Sequence, residues 1–205
     1  MSHYANASLL SLSTCAMRMV VLALILLSGM LNPAFATSFE ERIAPCLACH
    51  GERGQSETPE VPSLGAQPVN FLLIQLYMFR EKLRQVEPMT AAAQGLSDEE
   101  LRQLSAFISK LPPPNPQADP PDAARMERGR ALVQPHRCAF CHQPDFSGRE
   151  QMPRLASQRE DYLVKTLREY KSNARHGYDA SMAEVMYPIK DDEIPDLAHY
   201  LAHLR

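Results

Sequence analysis

Leu163, Leu167 and Tyr170 fall at i, i+4 and i+7 of the polar stretch 160–172, the spacing of one apolar helix face. The same period returns near residue 100. Leu101, Leu104, Phe107, Ile108 and Leu111 share a face, and Ser97-x-x-Glu100 ahead of them is a capping box. Residues 68–85 are apolar enough to predict a buried helix. "AARMERGRALV" (123–133) predicts another, with Gly129 able to admit a neighbouring helix closely. Leu197, Tyr200, Leu201 and Leu204 line a last helix, capped by Asp191 or Asp192. With Asp192 as the cap, Pro195 stands in the first turn, where its missing N–H costs little. No segment alternates apolar and polar residues convincingly, so the pattern predicts an all-α fold.

These elements are written twice. Cys46 pairs with Cys138, and Pro62-x-Leu64 with Pro153-x-Leu155. Gln67, Phe71, Leu76, Phe79 and Arg84 pair with Gln158, Tyr162, Leu167, Tyr170 and Arg175 at a shift of 91. Met89, Asp98 and Phe107 pair with Met182, Asp191 and Tyr200 at a shift of 93. Such register over two halves reads as two copies of one domain. Between them runs "LPPPNPQADPPD" (111–122), whose prolines favour an extended, semi-rigid spacer. The expected organisation is a first domain over 37–111, a Pro-rich linker over 112–121 and a second domain over 122–205.

Residues 1–36 read as a cleaved export signal rather than part of the fold. Arg18 precedes the apolar run "MVVLALILLSGML" (19–31), and Ala34-Phe35-Ala36 has the small-x-small form of a cleavage site. An uncleaved anchor is the alternative, but the run is short for a bilayer span. The long polar lead before it suggests a true start at Met17 or Met19. Without residues 1–36 and their one charge, Arg18, the chain carries 20 basic and 24 acidic side chains, a net of −4. That mild charge excludes a basic nucleic-acid footprint. Aromatics at 7% and no Trp leave little to fill two small cores, and domains of that size are marginal without an added staple.

Beyond the signal, every cysteine lies in "CLACH" (46–50) or "CAFCH" (138–142). A Cys-x-x-Cys-His unit can be a zinc knuckle, a redox dithiol or a haem anchor. Zinc needs four ligands at one point, and these pairs lie 92 residues apart (46 to 138) in separate copies. A thioredoxin-like dithiol expects a strand before its helix, and no strand is predicted. Haem attachment uses every part. Cysteines at i and i+3 share a helical face for two thioethers, Cys46 with Cys49 and Cys138 with Cys141, and His50 or His142 follows as an axial ligand. A haem in each copy would also supply the apolar contacts that the side chains lack.

The chain resembles the two-domain, dihaem class I c-type cytochromes, the cytochrome c4 family in particular. The likeness covers 40–205 and rests on "CLACHG", "PSLGAQ", "IQLYMFREKLR" and "PMTAAAQGLSDEEL", with "CAFCH", "PRLASQREDYL", "REYKSNAR" and "SMAEVMYPIKDDEI" in the second copy. The resemblance implies two tandem cytochrome c-like domains, two covalently bound haem c groups, His–Met ligation, a periplasmic address and electron transfer. Met89 and Met182, each nine residues before a paired aspartate, are the expected second axial ligands. Met186 and His176 are the competitors in copy two. In similar cytochromes a proline carbonyl receives the N–H of the axial histidine, which points to Pro62 and Pro153. Arg84 and Arg175 are candidates for the haem propionates, with a solvated helix-end arginine as the plain alternative. Gln67 and Gln158 read as hydrogen bonders at a helix start, and His136, His199 and His203 as ordinary structural or solvated residues. The glycine usual in the family's "FRxGxR" stretch is replaced at Lys82-Leu83 and Ser172-Asn173, and copy one has only a short lead before Cys46.

The expected function is electron carriage rather than catalysis, between redox proteins such as a quinol-oxidising complex or dehydrogenase and a terminal oxidase or reductase. One alternative is the cytochrome subunit of a flavin- or quinone-cofactor dehydrogenase. Another is a dihaem oxidoreductase acting on a small inorganic substrate, which would need an open position at one iron.

Overall fold

A computed structural model describes residues 38–175 and 180–205, so the expected export signal and His176 lie outside the described residues. Residues 39–205 form one compact unit. Copy one holds α1 (Phe39–His50), α2 (Val69–Arg80), α3 (Met89–Ala93) and α4 (Asp98–Ile108). Copy two holds α5 (Ala123–Val133), α6 (Cys138–His142), α7 (Glu160–Lys171), α8 (Ser181–Met186) and α9 (Ile194–His203). Among the described residues the only extended pairing is an isolated bridge between Arg149 and Met152. None of the described helices is long and apolar enough to cross a membrane.

Each copy has its own core. Leu72, Leu76, Phe79, Leu101, Leu104 and Ile108 pack around Ile43 in the first, with Met89 at the edge. Leu163, Leu167, Met186, Ile194, Leu197 and Leu201 fill the second. The apolar face predicted for 97–111 is therefore the buried face of α4, except that Phe107 sits at the rim, edge-on to Phe39 of α1 at 5.2 Å. Ser97 caps α4 as expected: its hydroxyl accepts from the Glu100 amide at 3.2 Å, and Glu100 accepts from the Ser97 amide at 2.7 Å. In copy two α5 lies against α9 at Gly129, where a Cβ would run into the Asp196 carbonyl and the Tyr200 side chain. Arg125 and Arg128 of α5 lock the same crossing through Asp196.

Two boundaries differ from expectation. The helix expected over 68–85 stops at Arg80, because Lys82 turns left-handed at φ 58°. Its counterpart Asn173 has φ 57°, so both copies make the same left-handed turn without a glycine. The last helix begins at Ile194, behind Glu193, with no side-chain cap, so neither Asp191 nor Asp192 caps it. Glu193 instead accepts from the Lys190 amide at 2.7 Å, closing the turn before the helix, and Pro195 still falls in the first turn.

Candidate functional site

The two Cys-x-x-Cys-His units sit at equivalent places but on different helices. In copy one α1 runs unbroken from Phe39 through both cysteines to His50. In copy two α5 ends before Arg137, whose left-handed φ of 54° starts the separate short helix α6. None of these four cysteines is in a disulfide; Cys49 is exposed, and Cys46, Cys138 and Cys141 are partly buried. Burial pushes the Cys46 and Cys138 thiols above their usual value.

Both histidines are buried and held alike. His50 Nδ1 lies 2.8 Å from the Pro62 carbonyl oxygen, and His142 Nδ1 lies 2.8 Å from that of Pro153. A carbonyl only accepts, so Nδ1 carries the proton and Nε2 is left with a lone pair. Burial lowers both histidine pKa values, against the weaker upward pull of the proline carbonyls, and so favours the neutral rings. Among the described residues the Nε2 of His142 has no partner. The Nε2 of His50 faces the Met89 thioether sulfur at 3.5 Å. Neither atom has a proton to share, so this is no ordinary hydrogen bond: an imidazole lone pair faces a soft thioether, a donor pair suited to iron.

Met182, at the start of α8, packs at the edge of the second core, whereas Met186 is 1% exposed within it. Met78 is buried within the first copy. His199 is structural: its Nδ1 donates to Glu160 at 2.8 Å, and its Nε2 accepts from the Asp122 amide at 3.0 Å.

Arg84 and Arg175 meet where the copies touch. Arg175 is 7% exposed, so the solvated reading does not hold for it. It donates to the Tyr162 hydroxyl at 3.2 Å and to Thr166 at 3.1 Å. Arg84 donates to Gln75 at 2.6 Å and stacks over Phe79 at 4.5 Å. Among the described residues neither guanidinium forms an ion pair with a carboxylate, and the Nε of each is buried without a partner. Burial alone would push the Tyr162 phenol up, but the charges of Arg175 and Arg84 together with hydrogen bonds to Arg175 and Thr166 outweigh it and bring it to about 8. One buried and one half-buried guanidinium, neither in an ion pair with a carboxylate among the described residues, make a receptor for carboxylates.

The glutamines do more than start helices. Gln158 reaches into copy one and Gln67 into copy two, and each holds a backbone segment of the other copy. The repeat had paired these residues, but nothing local in either copy could show that their partners lie across the interface.

Among known proteins, the cytochrome c family profile matches residues 126–205. Cytochrome c4 of Thiocapsa roseopersicina is 31% identical over 167 residues, which covers 78% of this chain and 86% of the relative. This chain belongs to the cytochrome c4 family. The crystal structure of reduced recombinant cytochrome c4 from Pseudomonas stutzeri matches with a TM-score of 0.74 at 27% identity, over 82% of this chain and 97% of that one. A protein of Thiomonas intermedia called a thiosulfate dehydrogenase electron acceptor is 28% identical over 180 residues, 83% of each chain. The chain is thus a c-type cytochrome of two tandem cytochrome c domains, an electron carrier with two covalently bound haem c groups. Its interior fits them: a buried, unpartnered imidazole lone pair in copy two, a facing imidazole and thioether in copy one, and two uncompensated guanidiniums between.

Proposed function

We propose that this cytochrome carries single electrons in the periplasm, with a haem in each copy held by one Cys-x-x-Cys-His unit and one methionine. In that reading Cys46 and Cys49 bind the first haem, and Cys138 and Cys141 the second. His50 with Met89, and His142 with Met182, take the axial positions. When bound, each haem supplies a one-electron ferric–ferrous couple. The residues do the rest. Pro62 and Pro153 fix each imidazole in the tautomer that presents Nε2 inward and raise its basicity. The methionine thioethers favour the ferrous state and leave no open position for a substrate. Arg84 and Arg175, with Tyr162, receive the propionates at the interface. The first domain then runs over 37–111, the spacer over 112–121 and the second domain over 122–205, behind an export signal at 1–36.

The observation that carries the reading is the His50 ring, tied to Pro62 at one nitrogen and facing Met89 at the other. The purified holoprotein tests it. Its colour should resist acid-acetone extraction, and Met89→Leu and Met182→Leu should each abolish the iron–sulfur charge-transfer band of one ferric haem and lower its potential. Met186→Leu should leave both bands. A Met182→Leu protein with an unchanged second haem, or a His176→Ala protein with a changed one, would overturn the assignment.

The relative called a thiosulfate dehydrogenase electron acceptor favours a dehydrogenase as the electron donor. Either way the donor and acceptor are redox proteins, such as a dehydrogenase or quinol-oxidising complex on one side and a terminal oxidase or reductase on the other. Constant stoichiometry through purification would mark the cytochrome as a dehydrogenase subunit; free exchange would mark a diffusing carrier.

A further inference from the structure

The Pro62–Ser63 amide is one rigid plane with two ends. Its carbonyl oxygen receives the His50 ring, and its N–H, on Ser63, donates to the Gln158 side-chain oxygen at 2.8 Å. Gln158 Nε2 donates back to the Ser63 carbonyl at 2.8 Å, so its carboxamide grips the segment at two points. Copy two repeats this with the roles exchanged. The Pro153 carbonyl receives His142, and the Arg154 N–H of that same amide donates to Gln67 Oε1 at 2.9 Å. Gln67 Nε2 donates to the Arg154 carbonyl at 2.9 Å. Gln67 and Gln158 are 5% and 4% exposed, so water does not compete for either grip.

We propose that Gln67 and Gln158 are positioning residues that act in trans: each orients, and electronically sharpens, the imidazole of the other copy. A planar amide held at its N–H cannot rotate its carbonyl away from the histidine. An occupied N–H also polarises the carbonyl it is conjugated to, making it a stronger acceptor. A stronger acceptor makes the imidazole more basic and so favours the ferric iron. The midpoint potential of each haem is therefore partly set by a glutamine of the neighbouring domain, and the two sites are coupled through hydrogen bonds as well as through space. The inference rests on His50 and His142 being axial ligands.

The test uses the holoprotein with 15N-labelled histidine, in the diamagnetic ferrous state, together with an optical redox titration. Gln158→Leu should move the ring N–H signal of His50 toward that of a weaker hydrogen bond and leave His142 in place. Gln67→Leu should do the reverse. At a fixed solution potential the reduced-to-oxidised ratio of the affected haem should rise about twofold or more, since the less basic ring favours ferrous iron. Gln158→Glu keeps an acceptor on the Ser63 N–H and makes it anionic, so it should shift the same haem the opposite way. It also serves if the leucine variants do not accumulate. Lys165→Ala removes a cross-copy ion pair with Glu60 that touches neither amide, and should change neither ring. Equal shifts at both haems, shifts confined to the mutated copy, or no shift in Gln158→Glu would overturn the proposal. If the unmutated protein lacks iron-shifted signals from both rings, it is the ligand assignment that has failed instead.

Discussion

A buried cation normally carries a desolvation cost of several kcal/mol, and the proposed function offsets it at Arg175 with a propionate carboxylate. The charges of Arg175 and Arg84, with the hydrogen bonds from Arg175 and Thr166, bring the Tyr162 phenol down to about 8. Carboxylates seated between the guanidiniums cancel that field, and a negative neighbour disfavours phenolate. The holoprotein should therefore show no Tyr162 ionisation near 8 in an ultraviolet pH titration against Tyr162→Phe. An ionisation persisting there would place the propionates elsewhere. Burial likewise keeps His50 and His142 neutral when folded. The unfolded chain takes up these protons first as pH falls, so stability should be level above the ordinary histidine value of 6.5 and decline below it. Guanidinium melts at about pH 7.5 and about pH 5 check the sign. Lys82 occupies a left-handed position that costs an L-residue roughly 1–2 kcal/mol. Lys82→Gly should therefore raise stability, by up to about 1 kcal/mol after the entropy glycine adds to the unfolded chain.

Helix contacts were legible in the sequence where a small residue or a capping pair marks them. Gly129 announced a close crossing, and α5 and α9 meet there. Gly129→Val should force the helices apart and cost at least about 1–3 kcal/mol by thermal melting, with the second haem perturbed first. Ser97→Ala should remove the α4 cap for about 1 kcal/mol. The start of α9 was less legible. Asp191 and Asp192 have good capping chemistry, but Glu193 draws the chain into a turn with Lys190 and delays the helix. The left-handed residues Arg137 and Lys82 were also invisible to periodicity, which reads side-chain faces and not backbone sign.

Over the whole molecule, two cores share one compact body because the reciprocal glutamine grips and the Lys165–Glu60 pair join them. Unfolding of the holoprotein by guanidinium should accordingly be one transition, coincident by haem absorbance and far-ultraviolet dichroism; two separated transitions would show independent domains. The all-α fold, the doubling of the domain and the identity of the chemical units were settled by the order of residues, since helical period, repeat register and Cys-x-x-Cys-His spacing are local properties of a chain. What lies opposite each unit was not. That Arg84 and Arg175 converge on Tyr162, and that Gln67 and Gln158 hold each other's copy, follow from burying two matched surfaces against one another. Such pairings depend on which groups packing removes from water together, and the glutamines and the segments they hold, 87 and 95 positions apart, carry no local mark of that.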